Sequence, residues 1–496
     1  MSEMKIKKNI YTSLFCQIIT ITYGLIVPRI ILKTFGSEVN GLVSSISQFL
    51  NYITLLEGGV SSVIMAALYK PLAGNDEYKI NAVVKAANLF FRKIALIFIA
   101  YLLGVAIVYP IFVDTSFSWE YVFSLALIIG ITLFIQYFFS LTYRLLITAS
   151  QNGYIVYLAQ IGITIINFIL TIIVVRVYPE IHILKIANVI AYIIQPIIFN
   201  YYVQKKFKIN SKVLPDENAL KQRWNGFGQN LAFFIHTNTD IVVLTIFCSL
   251  IDVSIYSVYF MIIGSLKNMV MSISSAIVPS VGNTLVGDDI ARKNIAFDMY
   301  EYGISLITSF AFGCGIVLIV PFVNVYTMGI RDANYFQPLF GIILMIAEAI
   351  YCYRDPYVSV AYASGHFKET ALYAYLEAAM NIIISIILVI KFGLIGVAIG
   401  TFVSMLYRMI SHAIYLKKNI LFRSLKKFLV SIAESSIVIV CCVIMACLAL
   451  YRLPETYFGW IGMAIVTSII TAILILIIQF LFNRKKLSMF IKILRK

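Results

Sequence analysis

The sequence predicts an all-α protein that crosses a membrane about fourteen times, and three observations support this prediction. Sixty-one per cent of the 496 residues are hydrophobic, 12% are charged and the mean hydropathy is +0.92, whereas a soluble domain carries about 25% charged residues. Apolar runs of about 20 residues, the length that spans a bilayer, recur along the whole chain. Two near copies of one apolar motif stand 211 residues apart, which is typical of a transporter built from two similar bundles.

The apolar runs define fourteen candidate spans. The first is too long for a cleaved signal peptide and lacks a small-residue cleavage site. The spans lie near residues 10–32, 42–68, 93–113, 121–147, 154–177, 183–204, 226–249, 254–282, 302–327, 336–362, 370–390, 394–416, 429–451 and 459–482.

The repeated motif runs from Gly104 to Pro110 and again from Gly315 to Pro321. Further matches, such as Asn167 with Asn381, fall in the same order at offsets of 211 to 214. This offset carries spans 1–6 onto spans 7–12, and an even number of spans preserves orientation. We therefore expect two six-helix lobes related by a pseudo-two-fold axis along the membrane normal, with a central cavity between them.

This organisation divides the chain into four segments. An N-terminal lobe is expected at 1–204, a cytoplasmic linker at 205–225 and a C-terminal lobe at 226–416. The remaining segment, 417–496, holds an extra helix pair (spans 13 and 14) and a basic cytoplasmic tail.

The net charge of +16 is unevenly distributed. With a cytoplasmic N-terminus, the inner segments collect roughly three quarters of the 39 Lys and Arg residues, which follows the positive-inside rule. Both termini are therefore expected in the cytoplasm. The basic clusters are interpreted as orientation signals at an anionic membrane surface, and no nucleic-acid partner is expected.

Enzyme chemistry has little support in the sequence. There is no phosphate-binding loop, no G-x-S-x-G motif and no H-E-x-x-H motif. The four histidines are scattered, so we expect no metal site. Asp288 and Asp289 are interpreted as part of a solvated inner loop. Neither catalytic residues nor a cofactor are expected, and transport is the remaining hypothesis.

Seven ionisable residues fall well inside the predicted spans. Each costs about 2.5–3.5 kcal/mol at the bilayer centre on insertion scales, so most should face a wet cavity or one another. They are the candidate site residues Glu57, Asp240, Lys267, Glu348, Arg354, Asp355 and Glu377.

Three basic residues near or within these spans leave two interpretations each. Lys267, at the midpoint of span 8, is either a cation facing a cavity or half of an interhelical ion pair. Arg354 and Asp355 precede Pro356, which should interrupt the helix, so they either flank a hinge or form a local clamp. Arg29 either contacts substrate or anchors the outer end of span 1, whereas Arg408 is interpreted as an interface anchor.

Two acidic residues, Asp240 and Glu57, suggest that transport is coupled to an ion. His236 and Asp240 stand four apart on one helix face, where they could relay protons, bind a cation or simply pack together. Glu57 precedes Gly58 and Gly59 and could pair with a cavity cation. Coupling to H⁺ or Na⁺ is therefore a hypothesis, and Glu348, Asp355 and Glu377 are further candidates for it.

Four segments resemble one known family. Together they touch spans 1–12, and the final pair resembles an addition seen in some members. The similarity is to Wzx-type polysaccharide repeat-unit flippases of the multidrug/oligosaccharidyl-lipid/polysaccharide (MOP) exporter superfamily, and it is carried by Val27-Pro28-Arg29, Leu55-Leu56-Glu57-Gly58-Gly59, Asp240-Ile241-Val242-Val243-Leu244 and Phe392-Gly393-Leu394-Ile395-Gly396.

The resemblance implies a specific activity. Such a protein would move undecaprenyl-pyrophosphate-linked oligosaccharide from the cytoplasmic to the outer leaflet of the bacterial cytoplasmic membrane, by alternating access, for capsule, O-antigen or another cell-surface polysaccharide. Its partners would be the lipid-linked glycan, membrane lipids, and the polysaccharide polymerase and export machinery. By this analogy Arg29, Lys267 and Arg354 are the candidates for binding pyrophosphate.

Two other functions compete with this one. A cation-coupled drug or metabolite antiporter of the same superfamily should have an acidic cavity. A polytopic glycan polymerase or ligase should have a large outer loop, whereas the outer loops predicted here have about ten residues or fewer.

Overall fold

The computed structural model describes residues 3–57, 59–210, 212–216, 227–285 and 289–494, and within these ranges the protein consists of helices joined by short loops and contains no strand. Eleven helices in these ranges are long and apolar enough to cross a membrane. This confirms the predicted all-α, multi-pass membrane fold. The helices are α1 (Glu3–Asn51), α2 (Thr54–Glu57), α3 (Val60–Ala73), α4 (Glu77–Phe112), α5 (Trp119–Ile135), a π-helical turn (Gln136–Ser140), α6 (Leu141–Ala149), α7 (Gly153–Val177), α8 (Ile181–Lys206), α9 (Phe227–Phe247), α10 (Leu250–Leu285), α11 (Ile290–Tyr326), α12 (Pro338–Ala363), α13 (Phe367–Phe392), α14 (Leu394–Asn419), α15 (Leu425–Ala449), α16 (Tyr457–Phe482) and α17 (Arg484–Leu494).

The fourteen predicted spans all coincide with helices, and three of them differ from a continuous apolar span. The first span and the beginning of the second both belong to α1, which turns at Gly36 (φ 86°, ψ 173°). The second span is then interrupted between the end of α1 at Asn51 and the start of α3 at Val60. α9 contributes a short apolar segment among the described residues, Thr237–Phe247. α12 is 26 residues long but carries three charged side chains in its interior.

The chain divides into two compact units. The first comprises Met1–Phe234 with Ser249–Ser254, and the second comprises Ile235–Cys248 with Ile255–Lys496. The division falls within α9, after the predicted linker at 205–225, of which residues 211 and 217–225 lie outside the described part. The extra pair, α15 and α16, belongs to the second unit and packs against α11.

Helix boundaries in the two units repeat at a nearly constant offset, which supports the inferred duplication. The start of α4 and the start of α11 are 213 residues apart, as are the starts of α8 and α14. Asp76 caps α4 and Asp289 caps α11, each accepting hydrogen bonds from backbone N–H groups of the first turn. Gln151 and Gly365, 214 residues apart, both have positive φ in the turn before the next helix.

One polar contact between helices is also repeated. In the first unit the Asn188 side chain donates to Asn167 over 3.0 Å, joining α8 to α7. In the second unit Asn381 donates to Thr401 over 3.1 Å, joining α13 to α14. Asn167 and Asn381, which match in the sequence, therefore make equivalent contacts between helices in the two units.

Small residues allow α13 and α14 to approach closely. A Cβ atom on Gly400 would lie 2.2 Å from Ser385 Oγ and 2.9 Å from its backbone nitrogen, and one on Gly396 would lie 2.4 Å from the Leu388 carbonyl. The two glycines form a G-x-x-x-G pattern, which is typical of closely packed membrane helices.

Replacing Gly400 with alanine is expected to push α13 and α14 apart. The cost of such overpacking is about 1–3 kcal/mol, measurable as a lower midpoint of thermal unfolding in detergent. Gly462→Ala in α16 is the matched control, because no atom lies within 4 Å of the added Cβ and alanine favours helix. Equal midpoints for the two variants would contradict this packing.

Candidate functional site

Most of the buried charges predicted from the sequence gather in the second unit. α10, α12, α13 and α14 each contribute ionisable side chains that are almost completely buried there. Because no lipid chain can solvate an ion, such groups require partners on neighbouring helices. The charged residues that the sequence analysis identifies in the second unit form three such sets.

The first set joins α10 to α12. Lys267 Nζ lies 3.0 Å from Glu348 Oε2, and the two side chains are only 8% and 1% exposed. The ammonium group also lies 5.2 Å from the ring centroid of Phe260 and 5.0 Å from that of Tyr351. Of the two interpretations of Lys267, the structure therefore gives the interhelical ion pair, enclosed by aromatic rings.

The second set joins α12, α13 and α14 around one carboxylate. Arg354 donates to Glu377 over 2.9 Å, and Arg408 pairs with the other oxygen of the same carboxylate. Arg408 also donates to the Tyr362 hydroxyl over 3.1 Å, and the Arg354 guanidinium lies 4.3 Å from the ring centroid of Tyr351. Two cations share one anion, so this cluster carries a formal charge of +1.

This arrangement corrects two expectations. Arg408 is not an interface anchor, because it is 5% exposed and paired inside the unit. Arg354 and Asp355 do not clamp each other, since Asp355 accepts hydrogen bonds from Ser274, Tyr300 and Ser359 instead. The helix α12 also continues through Pro356 rather than breaking there.

The third set surrounds Asp240 of α9. The Tyr256 hydroxyl donates to Asp240 Oδ2 over 2.8 Å and the Thr401 hydroxyl donates to the same atom over 3.0 Å. Asn381 donates to the Thr401 oxygen in turn. Among the described residues, Asp240 Oδ1 and Asn381 Oδ1 are buried without a hydrogen-bond donor, so two oxygens there remain able to accept a proton or coordinate a cation.

The remaining candidates lie in the first unit or beyond the described side chains. Glu57 accepts hydrogen bonds from Ser61 and, over 3.4 Å, from the Tyr137 hydroxyl. Arg29 is partly buried in α1. The side chain of His236 and the residues Gly58 and Asp288 lie outside the described part of the chain, so the predicted pairing of His236 with Asp240 stays a prediction.

A fourth charged cluster, which the sequence analysis does not predict, lies near the start of α11 and the start of α15. Arg423, in the segment between α14 and α15, pairs with Glu301 and lies 2.9 Å from Asp298, while Lys427 lies 2.7 Å from Asp298. Tyr357 donates a further hydrogen bond to Glu301. The sequence offered one signal, because Asp298 and Glu301 are three residues apart on α11 and therefore share a helix face.

The chemistry available to these sets is ion pairing and partner exchange. No group of three or more His, Cys, Asp or Glu side chains within the described ranges could hold a metal ion. Since Glu377 has two arginine partners, Arg354 can leave it for another anion while Arg408 keeps the carboxylate neutralised. This exchange avoids the cost of an unpaired buried charge.

Replacing Glu377 with glutamine is expected to leave two arginines facing each other without a carboxylate. Removing one partner of a buried ion pair costs about 3–5 kcal/mol, so thermal unfolding in detergent should shift down strongly. Glu369→Gln, on an exposed position of the same helix, should change stability by less than about 0.5 kcal/mol. Similar shifts for both variants would show that Glu377 is not buried between the arginines.

The fold is shared with several solved transporters, although no family model and no curated protein matches the sequence significantly. A lipid II flippase MurJ in an inward closed conformation is 16% identical, covers 96% of this chain and 98% of its own, and has a TM-score of 0.71. An inward-facing multidrug resistance transporter of the MATE family and MOP superfamily is 13% identical (80% and 94% covered, TM-score 0.65). A MOP superfamily transporter from Pyrococcus furiosus, described as having a binding pocket of reverse polarity, is 12% identical (85% and 96% covered, TM-score 0.59). The chain therefore has the fold of MOP superfamily transporters.

Proposed function

We propose that this protein is a MOP-type transporter that flips a lipid-linked oligosaccharide across the membrane. Its cargo is an undecaprenyl-pyrophosphate-linked repeat unit of a capsule, O-antigen or other cell-surface polysaccharide. Transfer runs from the cytoplasmic to the outer leaflet by alternating access, with the protein in the bacterial cytoplasmic membrane and both termini in the cytoplasm. Its partners are the polysaccharide polymerase and export machinery, and it performs no covalent chemistry itself.

The observation that carries this proposal is the extent of the structural likeness. The likeness to the lipid II flippase covers 96% of the chain, whereas those to the MATE-family transporter and the Pyrococcus furiosus transporter cover 80% and 85%. A structural likeness that extends over almost the whole chain supports a lipid-linked cargo over a small soluble one.

The buried cations provide the second line of support. A pyrophosphate requires positive charge at membrane depth, where unpaired cations are costly. The pair of arginines on Glu377 meets both conditions, because one guanidinium can move to the phosphate while the other stays paired. Arg408 therefore joins Arg29, Lys267 and Arg354 among the proposed substrate-binding residues.

A cation-coupled drug or metabolite antiporter is the second candidate. The observation that favours it is the buried carboxylate of Asp240, which has an oxygen without a hydrogen-bond donor in the described structure. In the described parts of spans 7 to 12, Lys267, Arg354 and Arg408 nearly balance four carboxylates, Asp240, Glu348, Asp355 and Glu377. Charge balance alone therefore does not separate the two functions.

Transport of labelled cargo into proteoliposomes distinguishes these candidates. We expect a fluorescent undecaprenyl-pyrophosphate oligosaccharide to become accessible to an impermeant quencher on the opposite leaflet, with no movement of a cationic dye. Arg354→Gln should lower the rate at least about tenfold, the effect of losing a charged hydrogen bond of roughly 1.4 kcal/mol or more. This variant leaves Glu377 paired with Arg408, so its abundance should be unchanged.

Arg452→Gln, at an exposed position beyond α15, is the control and should transport normally. Movement of the dye without movement of the glycolipid would contradict the flippase function and support the antiporter function. Lengthening of the labelled glycan by the purified protein would instead show a polymerase or ligase.

Ion coupling, if it uses Asp240, should be separable from substrate movement. Asp240→Asn retains an oxygen that can accept from Tyr256 and Thr401 but loses the titratable, anionic group. We expect a flip rate that no longer responds to a proton or sodium gradient, while exchange without a gradient persists. Asp114→Asn, in an exposed outer loop, is the control. A wild-type rate indifferent to both gradients would remove this role.

A further inference from the structure

A groove in the first unit has the composition of a lipid-binding site. It measures about 510 Å³ and lies between α4, the π-helical turn with the start of α6, and α8. Arg92, Asn88, Tyr143 and Asn200 form its polar part, and apolar side chains including Ile197 and Phe139 form the rest. This volume falls within the range of small-molecule sites.

The polar part of this groove has unused donors. Arg92 is exposed and lies 5.0 Å from the ring centroid of Phe138, and it makes no ion pair with the described residues. Asn200 accepts a hydrogen bond from Gln204 through its oxygen, and its amide nitrogen donates to no acceptor among the described residues. A guanidinium beside amide and phenol groups suits an anionic oxygen ligand.

The depth of the polar part matches a membrane interface. α4 has 36 residues, about 54 Å at 1.5 Å per residue, which exceeds a hydrocarbon core of about 30 Å. Counting about 20 residues back from its outer end at Phe112 reaches Arg92, and counting about 20 forward from Ile181 in α8 reaches Asn200. Under the positive-inside orientation both residues lie at the inner headgroup level.

The second unit covers the corresponding surface with its own chain. At the repeat offsets of 213 and 214, Asn88 corresponds to Glu301 and Tyr143 to Tyr357. Glu301 forms an ion pair with Arg423. The cavity beside Glu301, between α11, α15 and α16, measures only about 20 Å³. In the most apolar stretch of α11, 72% of residues are buried, against 33% in α4.

The sign of the charge is reversed between the two surfaces. In the second unit Glu301 pairs with Arg423 of the same chain. The first unit has Asn88 at the position of Glu301 and carries Arg92 one turn further along α4. An occupant of the open groove should therefore be anionic at one end and apolar along its length.

We propose that this groove binds an anionic phospholipid of the inner leaflet, with its phosphate on Arg92 and an acyl chain along the wall formed by Ile197 and Phe139. The single guanidinium matches one phosphodiester charge. Exposed apolar side chains lie within about one helical turn of the groove residues on both helices, such as Leu96 on α4 and Ile190 on α8. This site is separate from the charged sets of the second unit and does not rest on the proposed cargo.

Native mass spectrometry of the purified full-length protein with added phosphatidylglycerol or phosphatidylcholine tests this proposal. We expect Arg92→Gln to weaken phosphatidylglycerol binding about fivefold, the effect of one basic residue at a membrane surface. Lys93→Gln, an exposed basic position on the same helix, should have little effect. Ile197→Trp should also reduce binding by filling the groove, and the thermal midpoint reports whether each variant is folded.

Three results would overturn the proposal. Arg92→Gln and Lys93→Gln could weaken binding equally, which would indicate a diffuse basic surface. Phosphatidylcholine could bind as tightly as phosphatidylglycerol in the wild type. Undecaprenyl phosphate could displace phosphatidylglycerol from the wild type but not from Arg92→Gln, which would assign the groove to a polyprenyl carrier.

Discussion

A charge placed among membrane helices has no water to solvate it, and this constraint organises the second unit. Lys267 lies against Glu348, Glu377 lies between Arg354 and Arg408, and hydroxyl groups surround Asp240. Each contact joins different helices, so the same atoms that satisfy the charges also fix which helices are neighbours. Desolvation offsets much of the Coulomb attraction within such a pair, but removal of one partner is costly because it leaves the other charge buried alone.

The duplicated halves share a scaffold but not this network. The helix boundaries and the asparagine contacts repeat at offsets near 213. The charges do not repeat: Glu377 corresponds to Ile163, Arg408 to Gln195 and Arg354 to Ser140. The first unit instead keeps an open groove where the second unit is covered by its own chain. Duplication followed by divergence thus accounts for one half rich in buried ions and another half with an uncovered surface.

The sequence predicted the fold well because hydropathy is a local property. Apolar length acts within one span, so the helices could be inferred without tertiary contacts. The orientation inferred from the positive-inside rule stays a prediction. The repeat offset extended this success to helix boundaries. The turn at Gly36 was not predicted, since a glycine in an apolar run is compatible with either a bend or a continuous helix.

The partners of the charged residues could not be predicted in the same way. Lys267 and Glu348 are 81 residues apart, and their contact depends on how α10 packs against α12. Arg408 was interpreted as an anchor because it stands near the end of a span, whereas the neighbouring helices bury it. The sequence therefore identifies which charged residues lie within the spans, but assigning each of them to a cavity or to a partner requires the helix packing.

Lys267 and Glu348 join two helices of the second unit, and we propose that this ion pair is also required for substrate transfer. A double-mutant cycle on Lys267→Met and Glu348→Gln tests both roles, with unfolding free energy in micelles and flip rate measured on the same variants. Each single change should cost about 3–5 kcal/mol by leaving one buried charge unpaired, and the double variant should recover most of that stability. Its transport should nevertheless stay at least about tenfold below wild type. Additive stability losses, or a double variant that transports normally, would contradict the account.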